Sequence, residues 1–315
     1  MNRKAVITSI AGFNLTSNEG KLIKKQKPWG VILFKRNIKT FVQTKNLIKS
    51  IRKAANDNKF PVLIDEEGGM VCRLVPFLDN KVYSQSFFAD VVNKNKKLGL
   101  MLYQNYIRSM CSVFKNLGIN VNTVPVLDLL DTNTSKVIGT RSYSKVVETV
   151  RFLGKFCIKT YDDNKISTIM KHIPGHGCAS SDSHYRLPIV KKNLKSLKKK
   201  DFKCFLNINS RFAMTAHIIY QKIDSKYPAT HSEKVIKKII RGYLKFRGII
   251  ISDDISMKSL KHDIITNARK SLKAGCNLVL YCSGNYSESL KLLKEMPLID
   301  DFTRKKTSEF YNFLG

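Results

Sequence analysis

Gly248–Met257 reads GIIISDDISM. A glycine and three isoleucines make an unbroken apolar run, the pattern of a strand covered on both faces, as in a parallel sheet. The run stops at Ser252, Asp253 and Asp254, and apolar residues then recur at helical spacing over Ser256–Ala274. A buried strand, a polar end and a helix make one half of a βαβ unit. Asp253 continues the alternation of the strand and is expected to point inward. Asp254 is expected to cap the helix or to hydrogen-bond outward.

The same pattern recurs along the chain. Apolar, β-branched segments lie at Ala5–Ile10, Gly30–Phe34, Pro61–Asp65, Val121–Asp128, Ile166–His172, Phe212–His217, Gly248–Asp253 and Asn277–Cys282. Helical spacing marks Thr40–Asn56, Lys96–Leu117, Lys145–Asp162, Ser232–Phe246 and Ser256–Ala274. Eight strands alternating with helices predict the α/β class and a (β/α)8 TIM barrel. An open doubly wound sheet would call for a GxGxxG turn after an early strand, and none is present. No Pro/Gly/Ser-rich linker divides the 315 residues, so residues 1–315 are expected to form one catalytic barrel domain.

The strand ends are polar: Asp65, Asp128, Lys171 with His172, His217 and Asp253. A barrel gathers such ends at one mouth, where active sites of this fold lie. One of them alone could be a helix N-cap; five are hard to explain that way.

Lys171–Pro188, KHIPGHGCASSDSHYRLP, holds three of the six histidines. It begins as a strand end and continues as a long loop, where Asp182 and His184, two apart, can set a carboxylate beside an imidazole. Pro61–Arg73, PVLIDEEGGMVCR, ends its strand at Asp65, passes Glu66 and Glu67, and turns at Gly68–Gly69, where backbone could approach a ligand closely. Asp65 and Arg73 together suit sugar hydroxyls or a carboxylate, and a structural ion pair is the plain alternative. Arg141, in IGTRSY, is a second candidate clamp, while His217 reads as a packed, hydrogen-bonded histidine. His172 and His176 stand four apart, but Pro174 and Gly175 deny them the helix that would let such a pair grip a metal, so no metal is expected.

Lys and Arg outnumber Asp and Glu by 56 to 24, a formal charge of +32, with the densest run at Lys191–Lys203. A Lys/Asn/Ile bias from A+T-rich coding is preferred to nucleic-acid binding as the explanation, because no RNP, zinc-finger or helix-turn-helix signal accompanies the charge. The seven cysteines are scattered without a CxxC pair, as in a cytoplasmic protein with reduced thiols. No apolar run has the length of a membrane span. The N-terminal segment reads as a first strand rather than a signal peptide.

Taken together, GVILFKRN, IDEEGGMVCRL, NTVPVLDL, VIGTRSYS, the KH-PGHG-DSH loop, MTAHIIYQKIDSKYPATHS, RGYLKFRGIIISDDISM and AGCNLVLYC resemble, in order, glycoside hydrolase family 3. Within it they are most like the single-domain β-N-acetylglucosaminidases of bacterial peptidoglycan recycling. The resemblance implies a barrel fold and retaining hydrolysis. It implies Asp253 as nucleophile, Asp182 and His184 as an acid/base dyad, and Asp65, Arg73, Arg141, Lys171 and His172 as sugar-binding residues. The implied substrate is N-acetylglucosamine (GlcNAc) β-1,4-linked to 1,6-anhydro-N-acetylmuramic acid, with or without peptide, and no cofactor or metal is implied. Glu66, Met70 and Tyr143 stand where the family commonly has Gln, Arg and Phe; none of these changes removes a mapped catalytic group. An N-acetyl sugar also raises a substrate-assisted route, in which its own oxygen attacks and a carboxylate pair such as Asp253–Asp254 polarises it. The rival functions are a β-glycosidase of another specificity on the same barrel and a non-enzymatic basic protein associated with nucleic acid.

Overall fold

The computed structural model describes residues 2–131, 134, 137–179 and 186–315. Eight parallel strands close into a barrel: β1 (Lys4–Thr8), β2 (Pro28–Leu33), β3 (Val62–Ile64), β4 (Val121–Asn122), β5 (Ser167–Ile173), β6 (Phe212–Thr215), β7 (Ile249–Asp254) and β8 (Leu278–Leu280). Each pairs with the next, and β8 closes on β1 through Val6 opposite Val279 and Ile7 opposite Leu280. Each of the eight expected strands supplies one stave. β4 is much shorter than Val121–Asp128 because Pro125 has no N–H to give a ladder. The chain nevertheless stays beside β5: Lys171 N donates to Pro125 O (3.0 Å) and Leu127 N to Lys171 O (2.7 Å). Asp128 therefore still arrives at the mouth.

The helices are α1 (Ser17–Gln26), α2 (Phe41–Ala55), α3 (Gln85–Lys94), α4 (Lys96–Leu117), α5 (Val147–Asp163), α6 (Leu194–Lys199), α7 (Ile264–Ala274), α8 (Tyr286–Glu295) and α9 (Asp301–Leu314). Val235–Tyr243, within the helix expected at Ser232–Phe246, winds as a π-helix. The helix expected from Ser256 starts only at Ile264. Asp263 caps it, accepting from the N–H groups of Ile265 and Thr266. Met257 and Leu260 are buried from a turn rather than from a helix face, which is why their spacing imitates one. Helix α1 escapes a reading by periodicity because only Glu19, Leu22 and Ile23 of its ten residues are buried.

The barrel interior is packed with Ala5, Ile7, Trp29, Leu63, Val121, Ile169, Phe212, Met214, Ile249, Ile251, Leu278 and Leu280. Helix α9 closes the end where the strands begin: Phe310 packs on Phe212 (centroids 5.3 Å apart), and Thr307 Oγ1 accepts from Trp29 Nε1 at 2.9 Å. Strand parity then decides what happens at the other end. Leu63, Val121, Ile169 and Ile251 face inward, and the residues two further along are Asp65, Thr123, Lys171 and Asp253. The apolar filling gives way in one step to a polar layer.

The PGHG turn after β5 is fixed by contact. A Cβ on Gly177 would sit 1.8 Å from Leu129 O and 2.7 Å from its carbonyl carbon. Gly177→Ala is expected to destabilise the fold by about 3 kcal/mol or more, since backbone must move to make room. Urea unfolding of the variant and the parent protein would measure it, and an unchanged midpoint would contradict the packing described.

Candidate active site

The polar layer opens into a cavity of about 150 Å³ at the C-terminal ends of the strands. It is lined by the polar residues Asp65, Arg73, Thr123, Arg141, Lys171, His172, His176, Asp253 and Asp254 and by apolar residues that include Ile32, Phe34, Met214, Met257, Leu280 and Cys282. Asp65, Arg73, Arg141, Lys171, His172 and Asp253, drawn from four stretches of sequence, thus meet in one place. Asp182 and His184 lie outside the described residues.

Lys171 is the junction. Its side chain is 3% exposed, and its Nζ donates to Asp65 Oδ1 (2.6 Å) and Thr123 Oγ1 (2.9 Å) and lies 2.5 Å from Glu67 Oε1. Arg73 Nη2 holds the other oxygen of Asp65 at 2.6 Å. Arg141 grips Glu67 with both arms of its fork, Nε to Oε2 at 2.7 Å and Nη2 to Oε1 at 2.8 Å. The result is one chain of alternating charge, Arg73–Asp65–Lys171–Glu67–Arg141. Burial would raise the carboxyl pKa of Asp65, but Lys171 and Arg73 outweigh it and hold Asp65 well below the usual range. Burial likewise works against Glu67, and Arg141 with Lys171 keeps it low.

Glu67 went unassigned in the sequence although it shares the parity of Asp65. The plain reading of Asp65 and Arg73 as an ion pair holds, and both residues also line the cavity. Glu66 turns the other way and shapes the loop, accepting from the N–H groups of Arg73 (2.6 Å) and Leu74 (2.9 Å); burial raises its pKa. The glycines after it do not clear space for a ligand. A Cβ on Gly68 would lie 2.2 Å from Tyr83 O and one on Gly69 2.7 Å from Ser84 Cβ, both at positive φ, so they let the loop pass its own chain.

Asp128 is wholly buried beneath the His172 ring, whose Nδ1 lies 2.6 Å from Asp128 Oδ2. Burial opposes its ionised form, and His172 and His176 restore it, leaving the pKa lowered. None of the strand-end residues Asp65, Asp128, Lys171, His172, His217 and Asp253 is a helix N-cap. His217 is buried between Thr230 Oγ1 (2.7 Å) and Asp254 O (3.0 Å), the packed role expected of it. Asp253 shares the inward parity of Ile249 and Ile251, and its Oδ1 accepts from the N–H of Asp254 at 2.8 Å. Asp254 caps no helix: its carboxylate accepts from Ser256 Oγ (2.8 and 2.7 Å), Ser256 N (3.1 Å) and Cys282 N (3.2 Å), and burial raises its pKa.

A cavity with an inward carboxylate and both charged and apolar lining residues has the chemistry to hold a polar ring compound. Residues 5–301 match the N-terminal domain model of glycosyl hydrolase family 3. The chain belongs to glycoside hydrolase family 3. It is 32% identical over 282 residues to a β-hexosaminidase of Idiomarina loihiensis, covering 88% of this chain and 83% of that one. It superposes on NagZ of Neisseria gonorrhoeae, determined in complex with N-trifluoroacetyl-D-glucosamine, with a TM-score of 0.87 and 28% identity, over 100% of this chain and 90% of that one. A β-N-acetylglucosaminidase of Paenibacillus sp. str. FPU-7 gives a TM-score of 0.82 at 25% identity; 98% of this chain matches, but that spans only 60% of the larger enzyme. This family 3 chain is therefore a glycoside hydrolase of the β-hexosaminidase type. No helix among its described residues is long and apolar enough to cross a membrane.

Two measurements test the charged layer. Glu67→Gln leaves Arg141 and Lys171 facing a neutral amide in a buried site, and the loss of stability is expected to be on the order of 3 kcal/mol, read from urea unfolding. The second is pH. Burial lowers the pKa of His176 from 6.5 to about 4, so on acidification the unfolded chain takes its proton first and stability falls between about pH 6.5 and 4. Asp65, Glu67 and Asp128 have lowered folded pKa values; their contribution is complete above the unfolded carboxyl range and is lost below it, as pH falls through those values. Unfolding free energy is thus expected to decline from neutral pH downward in two stages, and His176→Asn to lessen the slope of the first by roughly one proton. An unchanged slope would refute the burial-driven shift.

Proposed function

We propose that this chain is a retaining exo-β-N-acetylglucosaminidase that removes terminal GlcNAc from peptidoglycan fragments in the cytoplasm. The fragment that fits is GlcNAc β-1,4-linked to 1,6-anhydro-N-acetylmuramic acid, with or without peptide. The observation that carries the reading is Asp253 at the inward position of β7, lining the same cavity as Asp65, Arg73, Arg141, Lys171 and His172. Family membership supports it, as do β-hexosaminidase relatives and a structural neighbour holding an N-acylated glucosamine.

In this reading the charged lining residues bind ring hydroxyls. Asp65 accepts from them, while Arg73, Arg141 and Lys171 donate, already oriented by their pairing. The apolar lining residues Phe34, Met214, Met257 and Leu280 take the C–H faces of the ring. The Asp253 carboxylate attacks the anomeric carbon as the glycosidic C–O bond breaks, forming a glycosyl-enzyme. His184, oriented by Asp182, protonates the departing oxygen, then takes a proton from the water that releases the sugar. A histidine can serve because its ordinary pKa, about 6.5, lies near neutral pH, and it adds no second negative charge beside Asp253. Direct attack is favoured over the substrate-assisted route because Asp254 is already committed to Ser256 and Cys282 and is not free to act as the second carboxylate of a polarising pair.

Hydrolysis of a chromogenic β-N-acetylglucosaminide is expected for the parent protein, and Asp253→Ala should lose activity by on the order of 10³-fold or more. A 2-fluoro glycoside should leave a covalent sugar on the peptide that contains Asp253. Faster turnover of the matching β-glucoside would overturn the substrate, and an adduct on another residue would overturn the nucleophile.

A further inference from the structure

Asp128 does not line the cavity a sugar would fill, yet among the described residues the hydrogen bonds to its carboxylate come from His172 and His176. Oδ1 accepts from His176 N at 2.6 Å and from His172 N at 3.2 Å. Oδ2 lies 2.6 Å from His172 Nδ1 and 3.3 Å from His172 N. The Asp128 side chain is 0% exposed, and its backbone carbonyl is fixed by Ser142 Oγ at 2.7 Å. Two backbone donors thus hold the carboxylate rigidly while its short contact goes to a ring nitrogen.

A carboxylate only accepts, so a 2.6 Å contact with Nδ1 requires the hydrogen to be on Nδ1. The other nitrogen, Nε2, is then the one His172 offers to the cavity it lines. In the neutral ring, Nε2 is an acceptor for a sugar hydroxyl hydrogen, which Lys171 and the arginines cannot provide. The His176 ring, edge-on at 5.7 Å between centroids, packs against the same imidazole and limits its rotation.

We propose that Asp128 is a positioning residue for glycoside hydrolysis: it fixes the tautomer and aim of His172 so that Nε2 accepts from the bound sugar. The inference rests on the proposed sugar-binding role of the cavity. It goes beyond that reading by assigning a task to a carboxylate that never touches substrate. The tautomer of an imidazole decides whether it gives or takes a hydrogen bond, so the wrong tautomer reverses the contact instead of weakening it.

The direct test uses the whole protein labelled with ¹⁵N in histidine. His172 is expected to carry its hydrogen on Nδ1 with Nε2 bare; hydrogen on Nε2 overturns the proposal without any substitution. The second test is a double-mutant cycle on a chromogenic β-N-acetylglucosaminide. Asp128→Asn should lower kcat/KM on the order of 100-fold in the parent background, mostly through KM. In a His172→Ala background it should lower it far less, because the group through which Asp128 acts is gone. An equal loss in both backgrounds would show that Asp128 only supports the loop, and no loss in the parent would show that it does neither. If Asp128→Asn does not fold, the tautomer measurement decides alone. Absence of turnover by the parent protein would count against the proposed function and would leave the tautomer measurement standing.

Discussion

One buried ammonium sets the geometry of the mouth. Lys171 sits between Asp65 and Glu67, two carboxylates on the chain leaving β3 that would otherwise repel each other in a medium of low polarity. Removing the cation would leave Asp65 held by Arg73 alone and Glu67 by Arg141 alone, and removing either acid would leave excess positive charge. Each member is tolerable only because the others are there. Desolvating five ionised groups is expensive, and an apolar plug would fill the volume at less cost. The arrangement makes sense by what it presents to the cavity: donors and acceptors already aimed, so that binding a polyhydroxylated ring demands little further ordering.

That layer exists because of strand parity. The same alternation that fills the barrel with Leu63, Val121, Ile169 and Ile251 brings Asp65, Thr123, Lys171 and Asp253 to the mouth, at the strand ends or one residue past them. The proposed nucleophile therefore stands on the same barrel as Lys171 and His172, two of the groups proposed to hold the sugar. Trp29, Phe212 and Phe310 seal the opposite end, so the cavity is a blind cup. A cup open at one end suits an enzyme that takes a terminal residue.

This logic also separates what the sequence could reveal from what it could not. The eight strands were legible because a parallel barrel demands apolar, β-branched staves, and the inward position of Asp253 followed from simple alternation past Ile249 and Ile251. The helix expected after Asp254 was misplaced because Met257 and Leu260 are buried from a turn, and burial without a helix leaves the same spacing in the sequence as burial on one. The glycines at 68 and 69 were correctly read as a turn, but what passes close to them is the chain at Tyr83 and Ser84. Asp128 was visible as a strand end, yet its partner is 44 residues away in sequence. Only the order of staves around the barrel, β4 beside β5, brings it under His172. Glu67 could have been found from its parity with Asp65, followed by the question of which cation answers it.

The neighbouring staves β4 and β5 carry the last step. Lys171 and His172 are consecutive, both line the cavity, and the peptide between them is cis. Each is answered by a different carboxylate, Lys171 by Asp65 and Glu67, His172 by Asp128. Two adjacent residues thus enter one cavity with their polar atoms fixed from separate sides, one as a charged donor and one, in the tautomer argued above, as an acceptor. A single hydroxyl both donates and accepts, and so does the next one around a sugar ring. A wall made only of cations could satisfy half of those bonds; pairing the lysine with a carboxylate-oriented imidazole lets the same short strand end meet both halves.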